Sequence, residues 1–173
     1  VVNKSDVYVS NGSYVNFTIT GFAQGRHYWN VSCVDDAGNK NTSITRVFTV
    51  DTDSPVIQLN SPVNVSNISS TKINFSWIVT DNIASSLLCD LILDGIVNVS
   101  GIKSINGSLS SQEIANISEG LHDWRVRCFD DANNSNISEL WEFTVDITKP
   151  SVELIAPEDG KNISNSTVTF KWK

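Results

Sequence analysis

Apolar and polar residues alternate along this chain with a period of two. In KINFSWIVT, Ile73, Phe75, Trp77 and Val79 share one face, and Asn74 and Ser76 share the other. In HDWRVRCFD, Trp124, Val126 and Cys128 alternate with Asp123, Arg125 and Arg127. In ELWEFTVD, Trp141, Phe143 and Val145 alternate with Glu142 and Thr144. SLLCDLILDG sets Leu87, Cys89, Leu91 and Leu93 together and ends at Asp94-Gly95, a hairpin-turn signal. Side chains on a strand point alternately to its two faces, so each pattern predicts a half-buried strand. No segment carries the 3.6-residue stripe of an amphipathic helix. Short strands separated by Asn, Asp, Gly, Pro and Ser predict an all-β antiparallel sandwich. The five tryptophans, Trp29, Trp77, Trp124, Trp141 and Trp172, fall in phase with apolar neighbours. They are expected in the core rather than as sugar-stacking platforms.

The pattern repeats. GRHYWNVSCVDDAGN from Gly25 returns as GLHDWRVRCFDDANN from Gly120, an offset of 95 residues. The same offset relates Trp29 to Trp124, Cys33 to Cys128, Phe48 to Phe143, Pro62 to Pro157, Phe75 to Phe170 and Trp77 to Trp172. About 30 of the 78 positions that can be aligned are identical, with no gap. FTVDTDSP (Phe48–Pro55) and FTVDITKP (Phe143–Pro150) read as a last strand followed by a short linker. The expected organisation is the C-terminal part of one unit over 1–51, a complete unit over 52–146, and the N-terminal strands of a third over 147–173. About 95 residues is the size of one β-sandwich.

The three cysteines follow the repeat. Cys89 and Cys128 lie inside the complete unit, each on an inward face, and a disulfide between them is favoured over free thiols or a metal pair. The chain-entropy model puts its stabilisation at about 4 kcal/mol. Cys33 is the equivalent of Cys128. The equivalent of Cys89 lies 95 residues earlier, before the first residue shown, so the partner of Cys33 is expected outside this segment.

The net charge is −7 and the pI about 4.6. Without a Lys/Arg stripe, neither nucleic acid nor an anionic membrane is an expected partner. No apolar run reaches the roughly 20 residues that span a bilayer, and the first residues lack the pattern of a signal peptide. Asparagine changes the picture more. Of 19 asparagines, 15 open an Asn-x-Ser/Thr triplet: Asn3, Asn11, Asn16, Asn30, Asn41, Asn64, Asn67, Asn74, Asn98, Asn106, Asn116, Asn133, Asn136, Asn162 and Asn165. Chance placement gives roughly four. Turn preference enriches Asn and Ser in loops, but Asn30 and Asn74 alternate with apolar residues inside predicted strands and so point outward. Heavy N-glycosylation together with a disulfide predicts an extracellular or cell-surface location.

No P-loop, dinucleotide fingerprint, HExxH motif or evident Ser/His/Asp set occurs, so no enzyme activity is expected. His27 and His122 are equivalent residues, expected to make structural polar contacts. The pairs Asp35-Asp36 and Asp130-Asp131 precede turns that aspartate caps. Their alternative role is calcium binding near unit junctions with Asp51, Asp53, Asp81 or Asp146, although no compact ligand loop is present. No other cofactor is expected.

The phrase G-x-H-x-W-x-V-x-C-x-D-D-A-x-N followed by FTVD-x-x-x-P resembles the tandem Ig-like repeats of prokaryotic, and by sequon density archaeal, cell-surface and filament proteins. VDDAGN (Val34–Asn39) is close to the family pattern, and FDDANN is looser. The resemblance covers the whole chain and implies tandem Ig-like sandwiches strung as stalks, filaments, surface layers or adhesins. The chain departs from antibody-type domains, because Trp77 and Cys89 lie on successive strands; the cysteine-bearing strands are therefore as compatible with one sheet as with two. The expected function is that of a structural building block of a glycosylated fibre or surface layer, with copies of itself or neighbouring repeats as partners. The alternatives are a ligand-binding or adhesive stalk module and an accessory domain of an enzyme. Strand donation between subunits is a further assembly route. Simple end-to-end completion lacks the counterparts of Val79–Gly95, so a window from a longer array is preferred.

Overall fold

The computed structural model describes residues 4, 5 and 7–173. Every regular element among them is a β-strand. Two sheets form the sandwich. In the first, β7 (Ile73–Thr80) is central, flanked by β5 (Val56–Ser61) and β10 (Leu109–Ile114). In the second the order is β6 (Ser66–Ile68), β13 (Trp141–Val145), β11 (Gly120–Phe129), β8 (Ser86–Leu93) and β9 (Ile96–Ile105), with β12 (Ser135–Ile137) also on β11. All pairs are antiparallel except β6 on β13. The β8–β9 hairpin turns at Asp94-Gly95, both at positive φ (50° and 75°), as a tight two-residue turn requires.

The core lies between these sheets. Phe75, Trp77 and Val79 from β7 meet Leu87, Cys89 and Leu91 from β8, Trp124, Val126 and Cys128 from β11, and Phe143 and Val145 from β13; all are buried. The rings interlock edge to face: Phe75 lies 5.1 Å from Trp124 and 5.8 Å from Phe143 between centroids. Each such pair adds about 0.5–1.5 kcal/mol beyond area burial. Among the outward neighbours expected from alternation, Ser76, Asp90 and Ile92 are buried and the others are exposed or half-buried; Ser76 accepts a hydrogen bond from Asn60 Nδ2 (2.9 Å), and Asp90 accepts from Arg127 Nη2 (2.7 Å) and Gly101 N (3.1 Å).

Cys89 and Cys128 are bridged and stand opposite each other in the β8–β11 ladder. The bond therefore staples two neighbours in one sheet rather than joining the two sheets. Cys33 is free and exposed.

Residues 25–50 form only sheet pieces: β1 (Gly25–Trp29) with β4 (Arg46–Val50), and β2 (Ser32–Val34) with β3 (Lys40–Thr42). Their registers match the complete unit; Gly25↔Val50 mirrors Gly120↔Val145, 95 residues on. The turns match as well. Gly38 (φ 82°) and Asn133 (φ 70°) hold the same left-handed position, one by lacking a Cβ and the other as the residue type that best tolerates it. At the other end, β14 (Leu154–Ala156) pairs with β15 (Lys171–Trp172).

One expectation fails here. Trp29, Val31, Cys33 and Trp172 were expected to face a core, yet all four are exposed, Trp29 by 48% and Trp172 by 66%, while the equivalent Trp124 and Trp77 are fully buried. Alternation fixes which face a residue occupies. Burial further requires an opposing sheet, and among the described residues nothing covers these faces.

Replacing Cys89 and Cys128 together by serine should lower unfolding free energy by about 2–5 kcal/mol. Urea titration followed by tryptophan fluorescence measures this. A change below about 0.5 kcal/mol would show that the ladder holds without its staple.

Candidate functional site

The fold assembles one arrangement that sequence spacing does not reveal. His122 Nδ1 lies 2.8 Å from Asp94 Oδ2, and its Nε2 lies 3.4 Å from Ser118 Oγ. Asp94 comes from the β8–β9 turn and His122 from β11, so only the sheet brings them together. This is the order of a hydrolytic triad, but the hydrogen bonds oppose that role. Nε2 has its closer contact, 3.0 Å, with the Ser118 carbonyl oxygen. That acceptor requires an N–H, whereas a general base needs a lone pair directed at the hydroxyl. The carboxylate on Nδ1 also accepts a proton, so the site favours the imidazolium. Burial pulls the His122 pKa down; the Asp94 hydrogen bond, the Ser118 carbonyl and the charges of Asp94 and Asp123 outweigh it and raise the pKa above 6.5. The ring also stacks on Phe143 at 5.4 Å. The first copy keeps the same core of contacts: His27 Nε2 lies 2.7 Å from the Ala23 carbonyl oxygen and the ring stacks on Phe48 at 5.3 Å. Alanine stands there in place of serine. What the two copies share is a histidine clamp on a strand start, the structural contact expected for both.

A second cluster lies at the pole where the chain enters the complete unit. Asp51 follows β4, Asp81 follows β7 and Asp130 follows β11; one carboxylate oxygen from each lies within 4.8 Å of the others. Local turn chemistry fixes two of them. Asp130 accepts bonds from Asn134 N and Asn134 Nδ2, both 2.8 Å. Asp81 Oδ1 accepts from the backbone N–H of Ile83 (2.9 Å) and Ala84 (2.7 Å), while its Oδ2 is a buried atom with no partner among the described residues. Asn134 Nδ2 also donates to the Asp51 carbonyl oxygen (3.1 Å), tying linker to turn. Burial is the first cause of a raised Asp51 pKa, and the like charges of Asp81, Asp130 and Asp53 add to it against the Asp53 N–H. Three clustered carboxylates are hard-oxygen donors of the kind calcium takes. The two other candidates are outside the trio. Asp53 Oδ2 accepts from Asn82 Nδ2 (2.7 Å), and Asp146 caps the N–H of Thr148 (3.0 Å) after β13. The first-copy turn keeps the Asp130 pattern, and there the side chain and backbone N–H of Asn39 hold the Asp35 carboxyl below its ordinary range.

The acceptor asparagines form the third feature. Asn3 lies outside the described residues. Asn11, Asn16, Asn30, Asn41, Asn64, Asn67, Asn74, Asn98, Asn116, Asn133, Asn136, Asn162 and Asn165 are all exposed. Asn106 is the exception. It is half-buried, and its Nδ2 donates to two carbonyl oxygens, those of Asp81 and Ala84, each at 2.7 Å. Its Oδ1 accepts from Asp81 N (3.1 Å). A glycan replaces one of the two amide hydrogens, so it breaks this lock. Asn30 and Asn136 each donate only once, to Thr45 Oγ1 and to the Pro55 carbonyl oxygen, and keep a hydrogen free.

No family model matches the chain, and no curated protein matches it. Among solved structures it is similar to the fibronectin(III)-like modules of Clostridium thermocellum CbhA, at 20% identity and a TM-score of 0.45, over 73% of this chain and 65% of that one. It is also similar to an engineered protein, at 15% identity and a TM-score of 0.39, over 54% of this chain and 20% of that one. The chain thus spans just under two thirds of the CbhA chain. Likeness at this level carries no functional argument.

Because the folded His122 pKa is raised, its contribution to stability is fully present below about pH 6.5 and is lost as pH rises through the folded value. Asp94→Asn should lower the His122 pKa, read from the ring-proton NMR titration. It should also remove up to about 1 kcal/mol of stability on the acid side, a modest figure because Asp94 is half exposed. An unchanged titration would remove Asp94 from the clamp.

Proposed function

We propose that the protein is a structural building block of a heavily N-glycosylated extracellular fibre or surface layer made of tandem Ig-like domains, of the prokaryotic, archaeal-type kind its repeated phrase resembles. The observation that carries this reading is the exposure of every described acceptor asparagine except Asn106, on outward strand faces as well as in loops. Glycans on the outward faces of β6, β7, β9 and β12, at Asn67, Asn74, Asn98 and Asn136, leave the core untouched. They also obstruct pairing of the exposed sheet edges with other chains. A stapled sandwich resists extension, and short Asp/Thr/Pro linkers hold successive units in series. The partners are copies of the chain or neighbouring repeats. An adhesive stalk module is the second reading: the large apolar residues exposed on β1, β2 and β15 favour it, since exposed apolar patches mark interaction sites.

Glycopeptide mapping of protein from its native source tests the proposal. Most of the exposed acceptors should be occupied and Asn106 empty. A protein bare of glycan would exclude the glycosylated-fibre reading.

The junction trio extends the proposal: a calcium ion held by Asp51, Asp81 and Asp130 would tie the incoming linker to the unit. Its support is the buried, unpartnered Asp81 Oδ2 beside two further carboxylates. The raised Asp51 pKa means that its ionised form opposes folding above the folded value, a cost relieved as pH falls or as a cation binds. Calcium at ten times its dissociation constant would add about 1.4 kcal/mol, a rise in melting temperature of roughly 4–8 °C per kcal/mol. Asp51→Asn should raise stability at neutral pH in chelator and abolish the calcium response. No calcium shift in the wild-type chain would eliminate the ion.

A further inference from the structure

Asn106 is followed by Gly107, and Asn-Gly is the dipeptide most prone to attack by its own backbone. Glycine has no side chain, so its nitrogen reaches the preceding carboxamide with little hindrance. The pair opens the turn between β9 and β10. There the fold holds each group that the reaction needs. The attacking atom, Gly107 N, donates its hydrogen to the Val79 carbonyl oxygen (2.8 Å). The leaving group, Asn106 Nδ2, donates to the carbonyl oxygens of Asp81 and Ala84, each at 2.7 Å. Asn106 Oδ1 accepts from Asp81 N (3.1 Å), and Asn106 N donates to the Ser85 carbonyl oxygen (3.1 Å). Turning the carboxamide toward Gly107 N breaks all of its side-chain bonds. The partners lie at the end of β7 and in the loop to β8, where Val79 and Ala84 are buried. Local opening of β9 from that loop therefore releases them together.

We propose that Asn106-Gly107 is a latent self-modification site, silent in the closed unit and released when the unit opens. In the opened chain, Gly107 N attacks Asn106 Cγ. The N–Cγ bond forms and the Cγ–Nδ2 bond breaks. The proton lost by Gly107 N balances the one that Nδ2 takes as it leaves as ammonia. Water then opens the succinimide ring at either carbonyl carbon, giving aspartate or isoaspartate at position 106. Neither product restores the lock. A carboxylate has no hydrogen to donate, and on closing it meets the Asp81 and Ala84 carbonyl oxygens. Isoaspartate also lengthens the backbone of the turn. An opening event is thereby recorded covalently and is not undone by refolding. This inference goes beyond the proposed function and concerns chains whose Asn106 carries no glycan.

The test uses the unglycosylated full chain in mildly alkaline buffer, which favours ionisation of the backbone nitrogen. Peptide mass mapping follows conversion at Asn106. Asn11 is the internal reference: it is exposed, stands in the same Asn-Gly-Ser triplet, and makes none of these bonds among the described residues. In the folded chain, conversion at Asn106 should be at least about tenfold slower than at Asn11. In urea the two rates should agree within about twofold. Replacing Cys89 and Cys128 by serine should speed conversion at Asn106 in plain buffer and leave Asn11 unchanged; a variant that does not fold should show the urea rate. Asn106→Asp should melt below the wild-type chain or fail to fold. Equal rates at the two sites in the folded chain, or a rate at Asn106 that urea does not raise, overturn the gate. An Asn106→Asp chain that melts like wild type overturns the irreversible record. Glycan occupancy at the other acceptors does not enter these readouts, so the proposed function and this inference fail separately.

Discussion

The structure depends on covering one apolar sheet face with another. Phe75 on β7 sits between Trp124 and Phe143 of the facing sheet, and around that contact the inward residues of five strands become buried, Ile57 and Trp141 only partly. The two ends of the chain show what happens where the contact is missing. The same residue types at equivalent positions, with the same strand registers, stay in solvent. Sandwich formation is therefore a property of pairs of half-units, not of individual strands. Hydrophobic burial needs two surfaces, and the fully apolar face of a lone hairpin gains little from folding.

Hydrogen bonding behaves differently. The Asp-Asp-Ala-x-Asn turn, the Ser43 and Ser138 bonds to the strand ahead, and the histidine clamps form in both copies, covered or not. These contacts span few residues and satisfy backbone groups that strands would otherwise leave open. The disulfide then fixes one pair of neighbours within a sheet, where loop closure rather than the sheet-to-sheet contact is what it secures.

Much of the fold was legible along the chain. Alternation placed Ile73, Phe75, Trp77 and Val79 on the buried face of β7, and Leu87, Cys89, Leu91 and Leu93 on that of β8, because a strand allows only two directions. The candidate sites were less legible. His122 meets Asp94 across a ladder between distant segments, and no local spacing records that ladder. The sequence grouped Asp130 with Asp51, Asp53, Asp81 and Asp146; which three come together was decided by β4, β7 and β11 ending at one pole. Asn106 looked like any other sequon until its amide proved to hold the Asp81 and Ala84 carbonyl oxygens.

By itself, the sequence determined the inward faces of the central strands, the identities at a 95-residue offset and which two cysteines bond. All of these follow from alternation, turn chemistry and identity at a fixed offset, which are local or arithmetical properties. Tertiary structure decided which inward faces are actually dry, which acidic residues share a pole, and which acceptor asparagine is already committed. Those outcomes depend on what lies across from a residue, and a chain read in one dimension holds no record of that distance.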